Sequence, residues 1–63
     1  MIITQIKHKS TGAIVEITYD NGIKIRGEVI ENPKNHRMVT IGDKVNLTHA
    51  HIPSRYEIIK YIH

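Results

Sequence analysis

Val15-Glu16-Ile17-Thr18-Tyr19-Asp20-Asn21-Gly22-Ile23-Lys24-Ile25-Arg26-Gly27-Glu28-Val29 is the most informative run in the chain. In its first half Val15, Ile17 and Tyr19 alternate with Glu16 and Thr18, the period of two that puts one set of side chains on a buried face and the other in water. In its second half Ile25, Gly27 and Val29 alternate with Lys24, Arg26, Glu28 and then Ile30. Asn-Gly between two such runs favours a type I′ turn, whose twist matches that of the flanking strands. The reading is a hairpin of two strands, Ala13 to Tyr19 and Ile23 to about Glu31, joined at Asn21-Gly22. Gly27 in mid-strand marks either a sharp bend or a close backbone approach, and the bend at a barrel corner is the expected use.

Before this hairpin, Ile2 to Lys7 reads as a strand with Ile2, Thr4 and Ile6 on one face and Ile3, Gln5 and Lys7 on the other, stopped by Lys9-Ser10-Thr11-Gly12. After it, Asn32-Pro33-Lys34-Asn35 is a turn, since Pro33 has no donor for a ladder. Arg37 to Ile41 and Lys44 to Thr48 are expected to form a second hairpin across Gly42-Asp43. Ile52-Pro53-Ser54 interrupts again, and Tyr56 to Ile62 supplies the last strand. Short strands about ten residues apart with turn residues between them indicate a small all-β barrel or sandwich. No helix of real length, repeat or linker is visible.

Composition agrees with strands and narrows the chemistry. The 63 residues hold only one domain, residues 1–63, with a thin core. Ile and Val dominate the apolar set, with three Tyr and no Phe or Trp, a bias that suits pleated, half-buried surfaces. The absence of Cys removes disulfides, thiolate zinc sites and thiol catalysis. No apolar stretch approaches the roughly 20 residues that span a bilayer, and the opening Met1-Ile2-Ile3-Thr4-Gln5 is too short for a signal peptide, so a soluble, cytoplasmic protein is expected. A formal charge of +3, nine Lys and Arg against six Asp and Glu, is compatible with a phosphate-binding surface without demanding one. Small sheets with short edge strands often pair those edges with another copy, and a homo-oligomer is expected on that ground.

The run from Val15 to Val29, with its strand, Asn21-Gly22 turn and bent strand carrying Gly27, resembles the first motif of the Sm-like proteins, and most of all the Hfq-like RNA chaperones at Asn21-Gly22-Ile23-Lys24-Ile25-Arg26-Gly27. Leu47-Thr48-His49-Ala50 is similar to the short Lys-His-Ala segment of the second motif, with Thr48 where that family has Lys. The likeness spans residues 13 to 62. The chain opens with a strand instead of that family's N-terminal helix, and Asn32-Pro33-Lys34-Asn35 stands where its Asp usually follows the bent strand. Arg55-Tyr56-Glu57-Ile58-Ile59 bears a weaker resemblance to short bacterial proteins of the KOW/SH3-like type. Both likenesses imply a five- to six-stranded Sm/SH3-like barrel. The first also implies RNA binding, with Gly22, Ile23, Lys24 and Arg26 near a face for A-rich RNA and His49, beside Thr48, lining the pore of a ring.

The residues themselves support a binding module more than an enzyme. Lys24 and Arg26 share a face and can attract phosphates, while Ile23 and exposed main chain can meet bases; a solvated hairpin would show the same alternation. Lys7, His8 and Lys9, and Lys34, His36 and Arg37, form two more basic clusters near turns. Aromatics for base stacking are few, with Tyr19 and Tyr56 facing the core by periodicity and Tyr61 freer. His49 and His51, two apart, share a face if extended, and His36 or His63 would have to complete a metal site; two imidazoles without Cys are too few ligands, and no metal or cofactor is expected. No nucleophile with base, phosphate loop or dinucleotide fingerprint is present, so no catalytic residue is expected. The competing expectation is a small protein-binding adaptor or inhibitor, of a size suited to a phage or mobile element, that docks through a sheet edge or hairpin with Ile3, Ile30 and Ile59 as its apolar patch.

Overall fold

The computed structural model describes Met1 to His63. Five strands, β1 (Ile2–His8), β2 (Ile14–Asp20), β3 (Lys24–Glu31), β4 (Lys44–Thr48) and β5 (Tyr56–Ile62), form one sheet, with a short helix α1 (His51–Arg55) before β5. The order across the sheet is β4-β3-β2-β1-β5, and every neighbouring pair is antiparallel. The fold is therefore all-β, as the alternation indicates. The sheet is not closed: β4 and β5 are its two edges. Pro33 and Pro53 lie outside the strands. Pro53 sits in the first turn of α1, where a missing N–H costs nothing. No helix is long and apolar enough to cross a membrane.

One face of the sheet carries the core. Ile6, Ala13, Val15, Ile25, Val29, Leu47 and Ile52 are buried together, and Ile3, Ile17, Val39, Val45 and Tyr56 pack around them. The register matches the apolar positions, with Ile6 opposite Val15, Val15 opposite Val29 and Ile25 opposite Leu47. Ile52 reaches this face from α1, so the helix plugs the side that the strands leave open.

Gly27 is explained by contact and not by a bend. A Cβ there would collide with Val15 Cγ1 and lie 2.9 Å from the Glu16 carbonyl oxygen, so only glycine lets β3 lie this close to β2.

The expected strand from Arg37 to Ile41 does not form, and with it the second hairpin across Gly42-Asp43. The Asn32 carboxamide takes the place of a ladder: its Nδ2 donates to the carbonyls of His36 and Val39, each at 3.0 Å, and its Oδ1 accepts the His36 N–H at 3.0 Å. Thr40 N–H donates to the Asp43 carboxylate at 3.1 Å. With these backbone groups satisfied by side chains, the segment stays a loop, as the obligatory pairing of main-chain polar groups permits. Lys44 to Thr48 pairs instead with β3, Lys24 opposite Thr48 and Glu28 opposite Lys44.

Four register shifts break the simple alternation. Pairing jumps between Ile14 and Val15 and between Ile17 and Tyr19 where β2 meets β3, and between Ile3 and Gln5 and between Gln5 and Ile6 where β1 meets β5. Each inserts one unmatched residue and reverses the facing of the residues beyond it. Ile3, expected on the outer face, packs on the core for this reason, while Ile2, expected on the inner face, is exposed.

Candidate nucleic-acid interface

The tip of the β2–β3 hairpin is held by its own side chains. Asn21 Oδ1 accepts the N–H groups of Ile23 at 3.0 Å and Lys24 at 2.7 Å, and Asn21 N–H donates to the Lys24 carbonyl at 3.2 Å. Asn21 thus stands opposite Lys24, and the tip residues are Gly22 and Ile23, one place beyond the expected Asn21-Gly22. Of the tip and its flanks only Gly22 has positive φ, at 89°, so the turn is not type I′, which needs two such residues. The shift leaves Ile23 out of β3 and its side chain 70% exposed at the tip.

Asp20 ties this tip to the end of β4. Its Oδ1 accepts the Gly22 N–H at 2.8 Å and the His49 Nε2–H at 2.7 Å, while His49 N–H donates to the Ile23 carbonyl at 3.3 Å. The His49 hydrogen bond, followed by that from Gly22, holds the Asp20 carboxyl below its ordinary 3.8. Gly22, Ile23, Lys24, Thr48 and His49 therefore meet at one end of the sheet, with Arg26 in the next row. His49 acts there as a strut. His51 does not share its direction, because His49 lies in a turn and His51 opens α1, where its Nδ1 accepts the Thr48 N–H at 3.1 Å.

The outer face beside this end carries cations in neighbouring rows. Lys24 stands opposite Thr48 and Arg26 opposite Asn46, and together with Ile25, Leu47 and His51 they line a shallow depression of about 350 Å³. One row further, Lys44 pairs with Glu28 at 3.3 Å. Lys24 and Arg26 have no such partner, since the only other ion pair joins His49 to Asp20.

Periodicity misassigns one residue of this face. The shift between Ile17 and Tyr19 leaves Thr18 unmatched, its Oγ1 donating to the Arg26 carbonyl at 3.2 Å, and carries Tyr19 to a place opposite Arg26. Tyr19 is 47% exposed, not buried, and the Arg26 guanidinium carbon lies 5.3 Å from its ring centroid. An exposed aromatic ring beside a guanidinium is a surface on which a base can stack. Asn46, the other residue not anticipated, adds an amide that can both donate and accept.

Of the remaining basic clusters, His8, Lys9 and Lys34 are engaged in the fold, whereas the Lys7 and Arg37 side chains, like those of Lys24 and Arg26, have no carboxylate partner. Lys9 Nζ donates to the Pro53 carbonyl at 2.8 Å, and His8 accepts the Thr11 N–H while its ring meets Tyr56 edge-on at 4.9 Å. Tyr56 is half-buried, and that burial pushes its hydroxyl above the usual 10.0. The Lys34 stem lies over Gly12. No three His, Asp or Glu side chains converge as a metal site would require.

No family model, no curated protein and no solved structure matches the chain, so the site rests on its geometry alone.

Proposed function

We propose that this protein is a non-enzymatic binding module for single-stranded RNA, of the small Sm/SH3-like barrel kind, acting through the outer face of β3 and β4. The observation that carries the reading is the exposed Tyr19 ring against Arg26, beside Lys24, Asn46 and Thr48. Tyr19 and Arg26 supply a stacking platform for a base. Lys24 and Arg26, free of carboxylate partners, supply phosphate attraction, and Asn46 and Thr48 supply hydrogen bonds to base edges. Gly22 and Ile23 form the lip of the site, and His49 fixes that lip through Asp20. The barrel reading is supported by the core on one face of the sheet, onto which α1, between the edge strands β4 and β5 in the chain, adds Ile52.

Titration of fluorescent oligo-A and oligo-U RNA at low and moderate salt tests the proposal. Micromolar binding is expected, with log K falling against log salt at a slope of roughly −1.4 for two cations at about −0.7 each. Failure to bind either oligonucleotide at micromolar protein contradicts it.

A second reading, a protein-binding adaptor, is favoured by one observation at the opposite end of the sheet: Ile2, Ile59, Tyr61 and Ile62 are exposed. Of the three residues expected in that patch, Ile59 belongs to it, whereas Ile3 and Ile30 are half-buried.

A further inference from the structure

β5 is an edge strand, and its exposed side chains are unusually apolar. Ile58, Ile59, Tyr61 and Ile62 are 37%, 42%, 48% and 58% exposed, against a row of main-chain donors and acceptors with no neighbouring strand. Such an edge is a template for another strand unless it is covered. The other edge, β4, is five residues long and presents Lys44, Asn46 and Thr48 outward, with the Thr48 N–H already donated to His51.

We infer that the occupant of the β5 edge is β5 of a second copy, in a two-fold antiparallel pairing that joins two sheets into one. The register is set by charge and by the bulge. If Glu57 stands opposite Lys60 of the second copy, symmetry makes that pair twice, places Ile58 opposite Ile59 at the centre, and sets Tyr56 opposite Tyr61 outside them. Opposite charges directly across an antiparallel pair are favourable, as are aromatic pairs.

In a regular strand this register fails, because residues three apart lie on opposite faces while a two-fold axis through the sheet preserves faces. Here the pairing of β5 with β1 steps from Ile58 to Lys60, leaving Ile59 unmatched. Glu57, opposite Lys7, and Lys60, opposite Gln5, therefore share the outer face. Tyr56, opposite His8, and Tyr61, opposite the core-packed Ile3, share the inner one. The irregularity at Ile59 makes the charge-matched register possible. None of these residues lies on the outer face of β3 or β4, so the pairing stands independently of RNA binding.

The test is sedimentation equilibrium of the full chain over a range of concentrations, with circular dichroism to verify folding of each variant. The expected species is a dimer that dissociates on dilution. Glu57→Lys and Lys60→Glu, which place like charges across the axis, are each expected to weaken it about tenfold, and the double exchange to restore it to within about twofold. A wild-type monomer at every concentration, a larger ring-sized assembly, or a double exchange that fails to restore the dimer overturns the pairing. The monomer outcome would leave the edge to the adaptor reading.

Discussion

The two ends of the sheet solve the edge problem in opposite ways. At the β4 end the strand is short, its outward residues are polar, and side chains of the following turn and helix, His49 and His51, consume exposed hydrogen-bonding groups. At the β5 end the strand is longer, bulged and apolar, and nothing in the chain covers it. Exposure alone therefore does not identify a function: polar exposure with unpaired cations suits a charged polymer, whereas apolar exposure on an unpaired strand suits another strand.

The greatest change is expected where the shared core is separated from the two ends. Ile25, 1% exposed, lies under the Lys24–Arg26 face and against Leu47, so Ile25→Ala is expected to cost about 2–5 kcal/mol in denaturant unfolding. Ile62→Ala, at dilution, is expected to stay within about 0.5 kcal/mol. Equal losses would show that the β5 edge is part of the monomer's core, and the contrast between the ends would fall.

Gly27→Ala comes next, at about 1–3 kcal/mol, because the Val15 side chain can rotate away but the Glu16 carbonyl belongs to the backbone and cannot. An unaffected melting curve would mean that β2 and β3 are not in close approach. Thr4 offers a change of the other sign. Its Oγ1 is buried without a hydrogen-bond partner beside the β1 irregularity, so Thr4→Val is expected to raise stability by about 1 kcal/mol. A loss of that size would mean the hydroxyl has a partner.

The least change is expected at the hairpin tip. The Asp20 carboxyl is held below 3.8 in the folded chain, so its contribution is complete above that value and is lost as pH falls through the folded value. The group is exposed, which keeps the contribution small. Asp20→Asn is expected to lower stability slightly near neutrality and to leave it unchanged in acid below the folded value, which flattens the acid limb of a pH-dependent melting series. An unchanged acid limb would detach His49 from the tip.

How far the sequence foretells the molecule depends on whether the deciding interaction is local. Ile25, Gly27 and Val29 are buried as their alternation requires, and β1, β2, β3 and β5 fall close to their expected positions. Arg37 to Ile41 has the look of a strand, but the Asn32 side chain reaches ahead to His36 and Val39 and claims their carbonyls, which no property of the segment itself reveals. Lys24 and Arg26 are legible as an exposed pair. Tyr19 is not, because a period of two carries no mark of a single unmatched residue, and Thr18 changes the facing of the ring beside it. The bringing together of Thr48 and His49 with the hairpin tip depends on β4 pairing with β3 across the intervening loop, a long-range contact that no local pattern announces.

The RNA site proposed above lies at the β4 end of the sheet and not at the β5 end, and amide chemical-shift mapping during a titration with oligo-A RNA decides between the two. The expected result is a contiguous set of shifts at Tyr19, Ile23, Lys24, Arg26, Asn46 and Thr48, lost in Tyr19→Ala, while Ile59 to Ile62 stay in place. Shifts confined to β5, or none at saturating RNA, would contradict that assignment.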